Sequence, residues 1–244
     1  VQHVLGDCIM AFSKINGLDF SSLYLVNGIA GSAIAKVNGI EKSGGSIALV
    51  RSVRIPGSAN GGSSSGADFT GCTLIAVWVA GYSLGPFPTL SDSQSNSWTG
   101  LTGLGGDPKG QWYYVLNPSV GVSQTFTLTG GSSYSSACVL GYSGVTAYES
   151  QAGTTGSGTS PSPGTLTPAG DNRLLLYGVA AQGDSNDIAS VNVGSLILHQ
   201  AGVSGETYIM GVGAEIQTTS TARTPTFAFT GSGQVWASAG AIFS

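Results

Sequence analysis

Charge is what this sequence has least of. Lysine, arginine, aspartate and glutamate make up 8% of its 244 residues, against roughly 25% in ordinary soluble domains. The eight basic residues stand apart, at Lys14, Lys36, Lys42, Arg51, Arg54, Lys109, Arg173 and Arg223, and the net charge is −4. No basic stripe exists to neutralise a phosphate backbone, so nucleic-acid binding is not expected. Histidine occurs twice, at His3 and His199, and neither lies near a cysteine or an acidic pair at metal-ligand spacing. The three cysteines, Cys8, Cys72 and Cys138, fit neither a disulfide framework nor a zinc set. Cys72 and Cys138 each open an apolar run and read as buried small hydrophobes, with a bridge between them left open. The longest apolar run, 74–82, is far short of the roughly 20 residues that span a bilayer, so no membrane segment is expected.

What is abundant is glycine, 39 residues, beside serine, threonine and 41% apolar residues. Such a chain builds its surface from hydroxyls, amides and backbone. That suits a protein held in an assembly or outside the cell better than a cytosolic enzyme. Short apolar runs rich in valine, isoleucine, threonine and aromatics alternate with Gly/Ser/Asn/Pro clusters about every ten residues, the pattern of a sandwich or barrel. Strands are predicted over 47–55, 72–82, 111–116, 124–129, 136–142, 174–181, 195–200, 207–217, 224–230 and 234–243. A short helix is predicted within 3–15, with Val4, Leu5, Cys8, Ile9 and Phe12 on one side. Two Gly/Ser segments, 57–66 and 153–164, read as surface loops.

Two internal repeats organise the chain. Asn-Gly recurs every eleven residues, at Asn16-Gly17, Asn27-Gly28 and Asn38-Gly39. An apolar residue flanks each pair on both sides: Ile15 and Leu18, Val26 and Ile29, Val37 and Ile40. A third stands four residues before each asparagine, at Phe12, Leu23 and Ile34. Asn-Gly accepts positive φ, so each unit reads as a tight turn between short extended pieces. Residues 1–44 thus form a repeat arm, with those six flanking residues as its assembly face. A unit this short cannot bury its apolar residues alone, so neighbouring subunits are expected to complete it, in a homotrimer or a lattice. The second repeat is a shift of 101 residues, which aligns Thr125–Gly130 with Thr226–Gly231, 136–143 with 237–244 and Leu74-Ile75 with Leu175-Leu176. Residues 45–244 therefore read as a β-sandwich of two related strand sets, about 72–144 and 173–244, with tandem small sandwiches as the alternative.

Chemical motifs are few. Gly62-Ser63-Ser64-Ser65-Gly66 spells a nucleophile elbow, but no helix is predicted after it and no histidine is near in sequence. The acidic segments 92–96 and 184–187 match no calcium loop and read as turns. No catalytic, cofactor or metal residues are assigned, and no enzyme is expected. Trp98 and the run Trp112-Tyr113-Tyr114 are the candidate surface for a glycan or a partner protein. In a strand Trp112 and Tyr114 share one face while Tyr113 takes the other, so part of this cluster is expected in the core.

The segment Ala33-Ile34-Ala35-Lys36-Val37-Asn38-Gly39-Ile40, repeated and followed by a Gly/Ser/Thr-rich β domain, resembles segments of tailed-phage virion proteins. The stretch from Leu90-Ser91-Asp92-Ser93 and Asn96-Ser97-Trp98-Thr99 through Leu140-Gly141-Tyr142-Ser143-Gly144-Val145 to Asn172-Arg173-Leu174-Leu175-Leu176 resembles phage and environmental bacterial proteins with a jelly-roll-like β-sandwich. The resemblance implies an all-β, antiparallel, jelly-roll-like sandwich behind an N-terminal arm. It implies a non-enzymatic structural part of a virion, in head decoration, tail or fibre, with other virion proteins as partners. The alternative is an adhesin domain, secreted or on a bacterial surface, that recognises a bacterial surface glycan.

Overall fold

The computed structural model describes residues 46–59, 61–82, 85–131, 134–182, 187–200, 208–231 and 234–244, together with six two-residue strands earlier in the chain. The chain divides into two units, Val1–Ser46 and Ile47–Ser244.

The first unit carries β1 (Lys14–Ile15), β2 (Leu18–Asp19), β3 (Leu25–Val26), β4 (Ile29–Ala30), β5 (Lys36–Val37) and β6 (Ile40–Glu41). They pair antiparallel two by two, with Ile15 opposite Leu18, Val26 opposite Ile29 and Val37 opposite Ile40. Each pair brackets one Asn-Gly. Those dipeptides, with Phe12, Leu23 and Ile34, lie outside the described residues. Lys14–Ile15 is strand rather than the end of the expected helix, because Ile15 is drawn into register with Leu18. Residues 3–13 of that helix lie outside the described residues.

The second unit is all β in its described residues, as its alternating pattern predicts. Its first half holds β7 (Ala48–Ser58), β8 (Gly61–Ser63), β9 (Leu74–Gly81), β10 (Thr89–Asp92), β11 (Thr99–Gly100), β12 (Leu104–Gly105), β13 (Lys109–Leu116), β14 (Phe126–Thr129) and β15 (Ser135–Ser143). Its second half holds β16 (Tyr148–Gly158), β17 (Arg173–Gln182), β18 (Ile188–Val191), β19 (Ser195–Gln200), β20 (Tyr208–Gln217), β21 (Phe227–Phe229) and β22 (Gln234–Phe243). One large sheet runs β11-β13-β9-β15-β7, with β12 also on β13, and the other runs β19-β20-β17-β22-β16. The two orders are the same, strand for strand. Outside them lie the small sheets β10-β14-β8 and β18-β21. The segment 159–161 occupies the place of β8 in the second half, since Phe227 and Phe229 donate their N–H groups to Pro161 O and Thr159 O.

Three cores separate these layers. The middle one joins the large sheets through Leu74, Trp78, Trp112, Leu140, Leu176, Met210 and Phe243. The outer two pack each large sheet against its small one, around Phe69, Val77 and Phe126 in the first half and Tyr177, Val179 and Phe227 in the second. The large sheets are therefore covered on both faces. That is why β9 and the centres of β15, β17 and β22 read as unbroken apolar runs rather than alternating ones. Several contacts between the large sheets come in matched sets: β9 on β17, β13 on β22 with β15 on β20, and β12 on β16 with β7 on β19. Exchanging the halves maps each of these sets onto itself, as in an isologous interface, whereas β13 on β17 and β12 on β22 have no counterpart as extensive. The 101-residue shift is the trace of this arrangement in β15 and β22, but β9 matches β17 at a shift of 100, so Leu74 answers to Leu174 rather than to Leu175.

Indole and phenol groups reach across the middle core. The Trp78 N–H donates to Val179 O at 3.1 Å, the Trp112 N–H to Ala239 O at 3.0 Å and the Tyr82 hydroxyl to Ile209 O at 2.6 Å. A methyl group at Gly178 or Gly110 would collide with the Trp78 ring. The segments read as loops differ from expectation for a related reason. Residues 153–158 lie inside β16, and Gly57, Ser58 and 61–63 lie in β7 and β8. Glycine is needed there because Cβ atoms at Gly153 and Gly156 would meet Leu104 and the Trp236 ring.

Gly178→Ala should therefore overpack the middle core and cost about 1–3 kcal/mol. The exposed Ser97→Ala should stay within about 0.5 kcal/mol of wild type. Urea unfolding followed by tryptophan fluorescence measures both, and a Gly178→Ala protein as stable as the parent would refute the interlock.

Candidate functional site

The four aromatic candidates do not form one surface. Trp112 is 2% exposed and is a middle-core side chain, 5.4 Å from Trp78 between ring centres. Tyr114 shares its face, half-buried, stacked on Tyr148 at 5.4 Å and edge-on to Phe243. Tyr113 and Trp98 lie on the opposite face, both half-buried against the first outer core. The Tyr113 hydroxyl donates to Gln111 Oε1 at 2.9 Å, and burial raises its pKa. The six arm candidates stand opposite one another in strand register, as given above.

Asp92 organises the polar loop beside Trp98. Its Oδ1 accepts the Gln94 N–H at 2.7 Å and the Asn96 amide at 3.2 Å, and lies 3.4 Å from the Gln124 amide. Its Oδ2 accepts the Trp98 N–H at 3.0 Å. Asn96 in turn is tied to both backbone groups of Ser119. The loop spends its carboxylate and the Asn96 amide on itself, which is turn chemistry, while the buried Gln124 Oε1 has no partner among the described residues. Ser64 of the Gly-x-Ser-x-Gly match is buried, and its hydroxyl accepts the Phe126 N–H at 3.0 Å. His199 Nδ1 lies 2.8 Å from Asp187 Oδ1 on the surface. Among the described residues no group of three or more His, Cys, Asp or Glu side chains could hold a metal. None of their helices is long and apolar enough to cross a membrane.

Lys109 is buried at 3% exposure. Its ammonium donates to Gly85 O and to Pro86 O and sits 5.3 Å from the Phe87 ring centre. Desolvation lowers its pKa. It clamps the segment before β10 rather than facing solvent.

A polar notch that the sequence reading passed over lies at the end of β20. It is lined by Glu215, Gln217, Thr218, Thr219, Thr221 and Arg223, with Ile216 beside them, and encloses about 270 Å³. Arg223 Nε donates to both Glu215 oxygens at 3.1 Å. The Gln217 amide nitrogen donates to Glu215 Oε2 at 3.2 Å and to Thr221 O at 2.9 Å. Gln217 is 3% exposed, and its Oε1 has no partner among the described residues. An adjoining apolar hollow of about 300 Å³ shares Glu215 and Ile216 and adds Leu49, Tyr142 and Ile197. The signal available in the sequence was scarcity: in a chain with 8% charge, a carboxylate inside an apolar strand and an arginine eight residues later stand out.

No protein-family model, curated protein or solved structure matches the chain.

Both described cysteines are free and buried. Burial pushes the Cys72 thiol up to about 11 and the Cys138 thiol up to about 12. The thiolate is the reactive form, so at pH 8 about one Cys72 in a thousand is reactive, and fewer at Cys138. In a Cys8→Ser background, a disulfide-based thiol reagent at pH 8 should leave the native protein unlabelled and react with both thiols after unfolding in guanidinium. Fast labelling of the native protein would contradict this burial.

Proposed function

We propose that this protein is a non-enzymatic structural component of a virus particle, a phage head-decoration or tail or fibre protein. In this reading residues 1–44 anchor the β body to other virion proteins and to further copies of the chain, in a homotrimer or lattice. The observation that carries it is the set of three antiparallel pairs at eleven-residue steps, each with two residues per strand. A two-stranded hairpin is marginal in water at best, so pairs this short need partners outside themselves. The resemblance of this arm to phage virion segments supports the same reading. In this reading the body is of jelly-roll type, and the order β7-β15-β9-β13 beside β8-β14-β10, with the same large-sheet order in the second half, supports it.

Deleting residues 1–44 should leave a folded β body that no longer oligomerises or enters its particle. Light scattering and particle reconstitution measure this. A truncated protein that still assembles normally would refute the anchor.

A second reading is an adhesin on a fibre or a cell surface that binds a bacterial surface glycan. The unspent hydrogen-bonding groups at the end of β20 favour it. The intact chain on an array of bacterial surface glycans tests it, with binding to a defined subset expected. Silence across the array would count against it.

A further inference from the structure

We infer that the notch at Glu215, Gln217, Thr219 and Arg223 is a saccharide site that takes one neutral pyranose ring. The inference rests on the glycan reading and gives it a place. Four observations lead to it.

The first is unspent capacity. The Asp92 loop uses its carboxylate and the Asn96 amide on itself, leaving only the Gln124 Oε1 beside it unpartnered among the described residues. At the notch Arg223 commits only Nε, and neither Nη group has a partner among the described residues. The Gln217 carbonyl oxygen is unpartnered although the residue is almost wholly buried. The hydroxyls of Thr218, Thr219 and Thr221 make no hydrogen bond among the described residues. A buried polar group without a partner is costly, and a ligand rich in hydroxyls satisfies donors and acceptors alike.

The second is charge. Glu215 and Arg223 cancel each other at 3.1 Å. An anionic ligand would meet the Glu215 carboxylate and a cationic one the Arg223 guanidinium. A neutral polyol meets both usefully, since each of its hydroxyls donates to the one and accepts from the other.

The third is size and polarity. The notch, at about 270 Å³, falls just below the roughly 300–1,000 Å³ of drug-sized ligand sites, which suits a single ring. Ile216 is 45% exposed at its edge and opens onto the apolar hollow of Leu49 and Ile197. The carbon face of a sugar, or a methyl or acetyl substituent, would lie there.

The fourth is the other half of the molecule. Arg223 pairs with Leu166 as Gln124 pairs with Ala67. Glu215 pairs with Leu175 as Val115 pairs with Ile75. The same fold is thus built with glutamine and valine at these two places. Neither Arg223 nor Glu215 is required by the architecture, so their presence in one half needs another cause.

The test is saturation-transfer NMR and calorimetry on the full chain with the methyl glycosides of glucose, galactose, rhamnose and N-acetylglucosamine. At least one should bind with a dissociation constant on the order of 1 mM. Arg223→Lys and Glu215→Gln should each weaken it about tenfold or more, the loss of one charge-assisted hydrogen bond. Thr219→Val, at an exposed position that cannot unfold the protein, should weaken it a few-fold, and Val122→Ala should not change it. Binding that survives both Arg223→Lys and Glu215→Gln would overturn the site. So would binding lost in Trp98→Ala but kept in Arg223→Lys. Absence of binding by all four glycosides would overturn it too. Array binding by the intact chain that persists in Arg223→Lys would refute this site while leaving the glycan reading intact.

Discussion

Trp78 is the piece around which the second unit is assembled. Its ring sits between two large sheets, fully buried, facing backbone where Gly110 and Gly178 carry no side chain. Its N–H is spent on Val179 O of the opposite sheet. Fully burying one large apolar side chain contributes roughly 1.5–3 kcal/mol, but the ring also fixes geometry. It sets how closely β9 and β17 approach, and β9 on β17 is the contact that maps onto itself when the halves are exchanged. The other bridges, Trp112 to Ala239 and Tyr82 to Ile209, hold the sheets in the same register. Sheets covered on both faces can present no polar face, so low charge follows from the layering.

The doubled architecture also separates what the fold needs from what it merely tolerates. Both halves keep an eleven-residue edge strand, a doubly buried pair beside it and a small outer sheet. They manage their edges differently. β7 carries Arg51, Arg54 and Pro56, residues that discourage strand addition by another chain, whereas β16 relies on glycine, serine and threonine. The halves diverge most in the loops after β13 and β20. One loop is closed on Asp92 and Asn96, and the other is left open at Glu215 and Arg223. Divergence at matched places in one chain is evidence of differing roles, because both copies answer to the same packing constraints.

The sequence announces strands by hydrophobic pattern, and where that pattern is physical the reading is sharp. The strands over 195–200 and 234–243 have the expected bounds. The 101-residue shift was visible because doubly buried strands leave little freedom in composition. β16 escaped because its side chains were reduced to make room for Leu104 and Trp236, and reduced side chains look like a linker. β10 and β18, four residues each, are too short to show a period. The notch escaped for a different reason. Its parts come from a strand end and the loop after it, and the bonds of Gln217 to Thr221 and Glu215 and of Arg223 to Glu215 bring them together. Aromatic residues drew the reading toward Trp112 instead, yet a tryptophan flanked by apolar strand residues serves a core at least as readily as a surface.

The two units pose opposite physical problems. The body pairs most of its buried polar groups within itself: the indole groups of Trp78 and Trp112 and the Lys109 ammonium each find a partner there. The described arm strands pair only two residues each, with Ile15 opposite Leu18, Val26 opposite Ile29 and Val37 opposite Ile40 in register. Two paired residues per strand do not offset the entropy of ordering eleven residues, at roughly 1–2 kcal/mol for each backbone. Repetition offers the remedy, since identical units present identical apolar pairs at a constant step, and copies of the chain laid side by side can match them in register.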